Sequence, residues 1–376
     1  MTGVRLRSDR SFDSINTRHL AKQLVIAGRA LADLAEYDQR IVAASSDLKY
    51  STLMSEFEDR HPQRFFQFGI SERNMFGAAA GMASAGLIPY VATFASFAGI
   101  LCYENIRTDL AYPDMPVRVL ATHAGISMGF FATSHHATED ISALRAVANL
   151  TVLSPSDGVS AATLLRATVD QPGPVYFRMS RGREEALYDS LPPSYVPGPA
   201  HQLRAGTDVL IIATGIMVRN ALEAADTLER QFHLSATVLD VHTLKPFDAA
   251  GVAETAQNYP AVVVIEEHNV EGGLGTLVVE ALAEAGLRIP VYKHGLSDEY
   301  CIIGPPHHCY VYYGLDPSGI GTVTRRVLDL VASDRFYGRE RRPLWSEDDR
   351  RRVLEDLSGQ RSGSATPRED GTPVDG

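Results

Sequence analysis

The chain has 376 residues, 45% hydrophobic and 22% charged, with a formal net charge of −11. That length predicts two domains, or three, at roughly 100–200 residues each, and the acidic balance, with no basic stripe, argues against a nucleic-acid binder. The three cysteines (Cys102, Cys301, Cys309) are too few and too scattered for a disulfide framework, and no apolar run reaches the roughly 18 residues of a membrane span. MTGVRLRSDRSFDS, at the start, holds no apolar signal core, so the expected location is reducing and cytoplasmic.

Leu20, Leu24, Leu31 and Leu34 recur at near-helical spacing and predict a helix from Thr17 to Tyr37. RIVAASSD then reads as a strand running into a polar loop. A Gly/Ala-rich helix from Glu72 to Ala85 and the strand LIPYVATF come next. The alternation continues with a helix over Tyr103–Tyr112, strand VRVLATH, a Gly/Ser/Thr-rich loop, helix Ile141–Ala148, strand TVLSPS, helix Gly158–Val169 and strand VYFRMS. LYDSLPPSYVPGPA, with four prolines in fourteen residues, predicts an exposed linker. Beyond it come strand VLIIATG, helix Ala221–Phe232, strand SATVLDV, a helix near Ala249–Asn258, strand AVVVIEE, helix Gly275–Ala285 and strand IPVYKHG. After about Leu330 the chain becomes charged, and the last nineteen residues have a disordered composition.

Strands alternating with helices predict an α/β fold of two doubly wound, mainly parallel-sheet domains. The divisions are 12–186 for the first domain, 187–200 for the linker, 201–333 for the smaller second domain and 334–376 for a charged, partly disordered tail. Neither GxGxxG at the first strand nor GxxxxGK[ST] is present, so the common nucleotide fingerprints do not apply. GGLG at Gly272–Gly275 is too short and too late for either.

Three clusters carry chemistry. In FGISERNM, Glu72 lies at a strand-to-helix turn ahead of small apolar residues. A buried carboxylate there is costly unless paired or protonated, although a first-turn acid facing the helix dipole reads equally well. In PYVATFASF, Phe94 and Phe97 are spaced to line one wall of a pocket, or to pack a core. In THAGISMGFFATSHHATED, the residues His123, His135, His136, Glu139 and Asp140 crowd a Gly/Ser/Thr loop, and loops at strand ends are where open α/β sheets gather catalytic groups. The spacing of these histidines matches no zinc signature, so no metal ligand is assigned to this chain.

In order and spacing these blocks resemble the transketolase family, from about Thr17 to Leu330. The further blocks NLTVLSPSDG, PVYFRMSRG, VLIIATG, LDVHTLKPFD and VVVIEEHNVEGGLG extend the likeness through the second domain. The last three blocks also occur in deoxyxylulose-phosphate synthase and in the β subunits of 2-oxo-acid dehydrogenases. The resemblance implies a thiamine-diphosphate pyrimidine-binding domain followed by a transketolase C-terminal domain. Glu72 matches the glutamate that hydrogen-bonds the cofactor's pyrimidine and so activates it. Phe94 and Phe97 match the aromatic wall for that ring, and Asp47 is assigned with them to cofactor binding. Ser51, His123, Arg181 and Arg18 match the groups that hold the acceptor phosphate, where a guanidinium fork suits two oxygens at once. His135 matches a catalytic histidine near the reacting carbon.

The family's GDG…Asn signature for Mg2+ and diphosphate is not found ahead of these blocks. The resemblance therefore implies a separate N-terminal transketolase-like subunit holding that end, in an α2β2 heterotetramer acting on a small sugar phosphate. One block departs from the pattern. GFFATSHH from Gly129 stands where ordinary transketolases read GEDGPTHQ, so Phe131 replaces an aspartate that contacts an acceptor hydroxyl. A phenyl ring cannot make that bond, which predicts an acceptor other than ribose 5-phosphate. The leading expectation is two-carbon ketol transfer. The alternatives are a 2-oxo-acid decarboxylating β subunit and a non-catalytic scaffold subunit.

Overall fold

The run from Ile41 to Ser45 is buried along its whole length, as are Ile88–Phe94 and Arg118–Thr122. Strands apolar on both faces need cover on both sides, which is the setting of a parallel sheet between helices. The computed structural model describes residues 22–52, 54–181, 186–192, 194–336 and 343–363, with side chains from 27 to 358 within those ranges. The first sheet draws on β1 (Ile41–Ser45), β2 (Phe65–Gln67), β3 (Ile88–Phe94), β4 (Arg118–Thr122), β5 (Thr151–Leu153) and β6 (Val175–Arg178). The second half contributes β7 (His201–Arg204), β8 (Val209–Ala213), β9 (Ala236–Asp240), β10 (Thr243–Lys245), β11 (Val262–Asn269) and β12 (Val291–Leu296). The strand orders are β10-β5-β6-β4-β3-β1-β2 and β12-β11-β8-β9-β7. Among the described strands, only the β10–β5 and β7–β9 pairings are antiparallel.

The predicted fold class is therefore the observed one, and differences lie in the connections. The helix expected from Thr17 is seen as Lys22–Tyr37, and the rest of that expectation lies outside the described residues. The helix expected over Tyr103–Tyr112 is one short turn followed by wide turns over Ile106–Ala111. The Pro-rich segment expected as an exposed linker is exposed at Asp189, Ser190, Pro192, Ser194, Val196 and Pro199 but anchored at three residues. Leu187, Tyr188 and Tyr195 are buried, the amides of Leu187 and Tyr188 donate to Asp157 Oδ2 at 2.7 and 3.0 Å, and the Tyr188 hydroxyl donates to Asp240. Strand β10, not among the strands expected from sequence, leaves the second domain and completes the first sheet. The charged tail is also partly ordered. A helix covers Glu347–Gly363, Arg326 pairs with Asp349 at 2.7 Å, and the Trp345 indole donates to Tyr312 O.

The two domains share a core. One apolar cluster runs from Phe76 and Val119 through Leu244 and Val252 to Val264 and Leu282. No helix among the described residues is long and apolar enough to cross a membrane.

Candidate active site

In the first sheet the chain passes from β1 outward to β2 and then returns to place β3 on the other side of β1. The crevice outside the carboxyl ends of strands at such a reversal is where open α/β sheets bind ligands. The sequence candidates converge on that edge. Asp47 follows β1, Glu72 follows β2, Phe94 ends β3, His123 follows β4 and Arg181 follows β6.

Glu72 is the first residue of the Glu72–Ser84 helix and only 7% exposed. The helix N-terminus favours a negative charge there. The nearest donor seen among the described residues is the Thr93 hydroxyl, 3.5 Å from Oε1, at the far limit of a hydrogen bond. Phe94, adjacent to Thr93, stands 5.7 Å from Phe97, ring centre to ring centre. His123 lies 4.4 Å from Phe94, and His135 lies 6.0 Å from Phe94 and 5.3 Å from Phe97. Phe131 closes the group at 5.2 Å from His135. Five residues singled out in the sequence thus form one chain of rings. Phe97 opens a wide helical turn over Phe97–Leu101, a rare geometry that recurs at functional sites.

Two residues of this region hold backbone conformations that side chains rarely adopt. His123 has φ +60°, and Ala132 has φ +60° with ψ −163°. Strain of that kind costs about 1–3 kcal/mol a residue and persists only where the surroundings enforce it. The Ala132 carbonyl accepts from the amides of both His135 and His136 at 2.9 Å. His135 faces the rings, with Ser134 Oγ 2.9 Å from its Nδ1. His136 is buried with Nε2 3.3 Å from Gly129 O, and burial pushes its pKa down.

The remaining candidates stand differently. Asp47 and Ser51 are exposed on the turn after β1, where the Asp47 amide donates to Gln67 Oε1 at 2.8 Å. Arg181 is half-buried, and the His123 amide donates to the carbonyl of neighbouring Ser180 at 3.3 Å, which brings that segment beside the histidine. Arg18 lies outside the described residues. Phe131 is 54% exposed and Phe130 63% exposed, at the mouth of the group.

Beneath the histidine loop lies a buried polar network whose roles were not read from sequence. Arg178 Nε reaches Asp140 at 3.0 and 3.1 Å, and the Tyr176 hydroxyl donates to the same carboxylate at 2.9 Å. Arg178 also donates to the carbonyls of Ala137 and Glu267. Glu266, the preceding residue, accepts from the Leu274 and Gly275 amides at 2.7 and 2.9 Å, and burial lifts its carboxyl to about 7. A Cβ on Gly273 would fall 2.0 Å from Glu266 Oε2, so GGLG is the glycine cradle of a buried acid and helix start. The signal was present in AVVVIEEH, an apolar strand ending in three titratable residues.

A parallel α/β sheet thus brings a buried acid, two phenylalanines and two histidines to the switch-point edge of the first domain. Comparison with known proteins sharpens that description. The family model for the transketolase pyrimidine-binding domain matches residues 24–184, and that for the transketolase C-terminal domain matches residues 198–320. An apulose-4-phosphate transketolase subunit of Phocaeicola vulgatus is 34% identical over 290 residues, which are 77% of this chain and 92% of the relative. The 6-deoxy-6-sulfo-D-fructose transketolase subunit SqwH of a Clostridium species is 34% identical over 299 residues, 80% of this chain and 92% of the relative. A solved split-gene transketolase, an inactive β4 tetramer, is 37% identical with a TM-score of 0.72, covering 81% of this chain and 97% of that one. The chain belongs to the transketolase family, and it is similar to the split subunits that carry the pyrimidine-binding and C-terminal domains.

Proposed function

We propose that this chain is the pyrimidine-side subunit of a two-chain, thiamine-diphosphate-dependent enzyme that transfers a two-carbon ketol unit from a ketose phosphate to an aldehyde or ketone. One observation carries the reading. Glu72 is a buried carboxyl at a helix start, next to an aromatic wall, with no donor closer than 3.5 Å among the described residues. Burying such a group without a close partner costs free energy that an incoming ring N–H would offset. The residues present therefore fit an aminopyrimidine. When bound, thiamine diphosphate supplies the electron sink for carbon–carbon bond cleavage and formation.

The chain's own residues divide the remaining work. Glu72 would hold a proton between its carboxyl and the pyrimidine, while Phe94 and Phe97 orient the ring face. His135 sits against both phenylalanines and would move a proton to or from the substrate oxygen nearest the reacting carbon. His123 and Arg181 would bind the phosphate end, with Ser51 and Arg18 further out and Asp47 at the cofactor's edge. An N-terminal transketolase-like subunit would grip the diphosphate through Mg2+ in an α2β2 assembly, a division that the relatives named as subunits support. Phe131, exposed against His135, offers no hydrogen bond to an acceptor hydroxyl, so the acceptor is less polar at that position than ribose 5-phosphate.

The test is the co-expressed complex with Glu72→Gln. Loss of the activating carboxyl lowers turnover of a ketose phosphate by about 10²–10⁴-fold with the melting temperature unchanged. Full turnover by the variant would reduce the chain to a scaffold, and turnover of pyruvate in place of ketose phosphates would assign it to the 2-oxo-acid enzymes.

A further inference from the structure

The second domain has no residue in the ring cluster, yet one of its strands touches the histidine loop at several points. At the end of β11, Glu267 Oε1 accepts from the amide of Ile126 at 2.8 Å and from the Tyr310 hydroxyl at 2.6 Å. The Glu267 carbonyl accepts from Arg178 at 2.9 Å. Two residues on, the Asn269 amide donates to Thr138 O at 2.9 Å. The loop between these anchors begins at His123, turns through Gly125 at φ +61°, and closes on itself where Gly125 and Ala137 exchange amide hydrogen bonds at 3.0 and 2.9 Å. His135 and the exposed Phe130–Phe131 pair lie inside that closed loop.

Gly125 and Glu267 are matched in shape as well as in bonding. A Cβ at position 125 would fall 2.2 Å from the Glu267 carboxyl carbon. The carboxylate fills the space a side chain would take and satisfies the amide exposed by the left-handed turn. A hydrogen bond to a charged acceptor in a buried setting is among the stronger ones. Tyr310 comes from Pro306–Tyr312, the helix whose first residue lies against Gly129: a Cβ there would meet Pro306 Cδ at 2.9 Å and, just ahead of the helix, Gly304 O at 2.3 Å. The second domain thus contacts the loop both where it leaves His123 and where it presents the phenylalanines.

We infer that Glu267 is a positioning residue: through its carboxylate the C-terminal domain sets where His123 and His135 stand against the aromatic wall. The effect on catalysis rests on the function proposed above, while the effect on the loop does not. Hydrogen exchange on the full chain measures the second directly. Glu267→Ala speeds exchange in the 123–137 segment by about 10–100-fold, the loss of one buried charged hydrogen bond, with β8, β9 and the Met217–Phe232 helix unchanged. Glu267→Gln keeps the acceptor oxygen and restores most of the protection. Tyr310→Phe removes only the second donor and gives a smaller rise in the same segment.

In the complex with its partner, Glu267→Ala raises KM for the acceptor about tenfold or more, leaves thiamine diphosphate affinity as in the parent, and is rescued by Gln. Exchange that rises evenly through the second sheet, or Gln behaving like Ala, would overturn the assignment. So would a variant that loses cofactor affinity in step with turnover. A loop that loosens as described in a chain whose complex never turns over ketose phosphates would leave Glu267's placement standing and sink the enzymatic reading alone.

Discussion

Arg178→Met tests whether the buried pair under the histidine loop holds the site or merely occupies it. Arg178 and Asp140 are 4% and 0% exposed, and the guanidinium makes four contacts there: two to Asp140 and one each to the carbonyls of Ala137 and Glu267. Methionine fills much of the stem's volume and makes none of them. Asp140 keeps the Tyr176 hydroxyl at 2.9 Å, but its charge loses its counter-ion in a site without water access. Removing one partner of a buried pair costs about 3–5 kcal/mol, which for a chain this size lowers the melting temperature by about 4–6 °C. Adding Asp140→Asn removes the stranded charge, and the double variant recovers a large part of that loss. Urea unfolding of the parent, both single variants and the double variant closes the cycle. A loss below about 1.5 kcal/mol for Arg178→Met, with an unchanged m-value, would refute the argument, because the charge would then have found solvent or another partner.

Two further substitutions probe backbone strain and buried charge. Ala132→Gly puts the one residue type at ease with φ +60° and ψ −163° at that position, so it is neutral or stabilising by up to about 1 kcal/mol, whereas Ala→Gly within the Glu72–Ser84 helix costs about that much; thermal unfolding distinguishes the two. Asp240 is fully buried and its carboxyl is lifted from 3.8 to about 7, chiefly by burial. The folded state therefore holds a proton that the unfolded chain has released, and stability is lost as pH rises from about 4 to about 7. Asp240→Asn keeps an acceptor for Tyr188 and Tyr195 and removes that loss, so the variant gains on the parent by about 4 kcal/mol across this window; parallel pH profiles would contradict it.

The fold was legible because its strands are apolar throughout and its helices alternate with them at short spacing. What escaped included the Pro317–Ala332 helix and several short elements without a period. β7 and β10 are short edge strands, one of them paired across the domain boundary, and no local pattern marks such a partner. The Pro-rich segment read as an exposed linker because composition reports turns and says nothing of burial, which here comes from Tyr188 and Tyr195 folding onto Asp240. In the site, the ring residues were legible through motif and type. Glu267 and Arg178 were not, since each acts on the loop from elsewhere in the chain, and the pairing of Gly125 with Glu267 exists only once two domains meet.

On the proposed function, this chain supplies half of a cofactor site and has to keep that half in shape before the other half arrives. The strained conformations at His123 and Ala132 cost about 1–3 kcal/mol each. Support from outside the loop comes from underneath and alongside, in the Arg178–Asp140 pair and in the carboxylate of Glu267. Weakening the contact between domains should therefore release the histidine loop before either sheet. Native-state exchange in mild denaturant reads this order directly, with amides of 123–137 opening at lower free energy than those of β3 and β8. Simultaneous opening of loop and sheets would mean that the loop holds its shape without the second domain, and that the C-terminal half serves assembly alone.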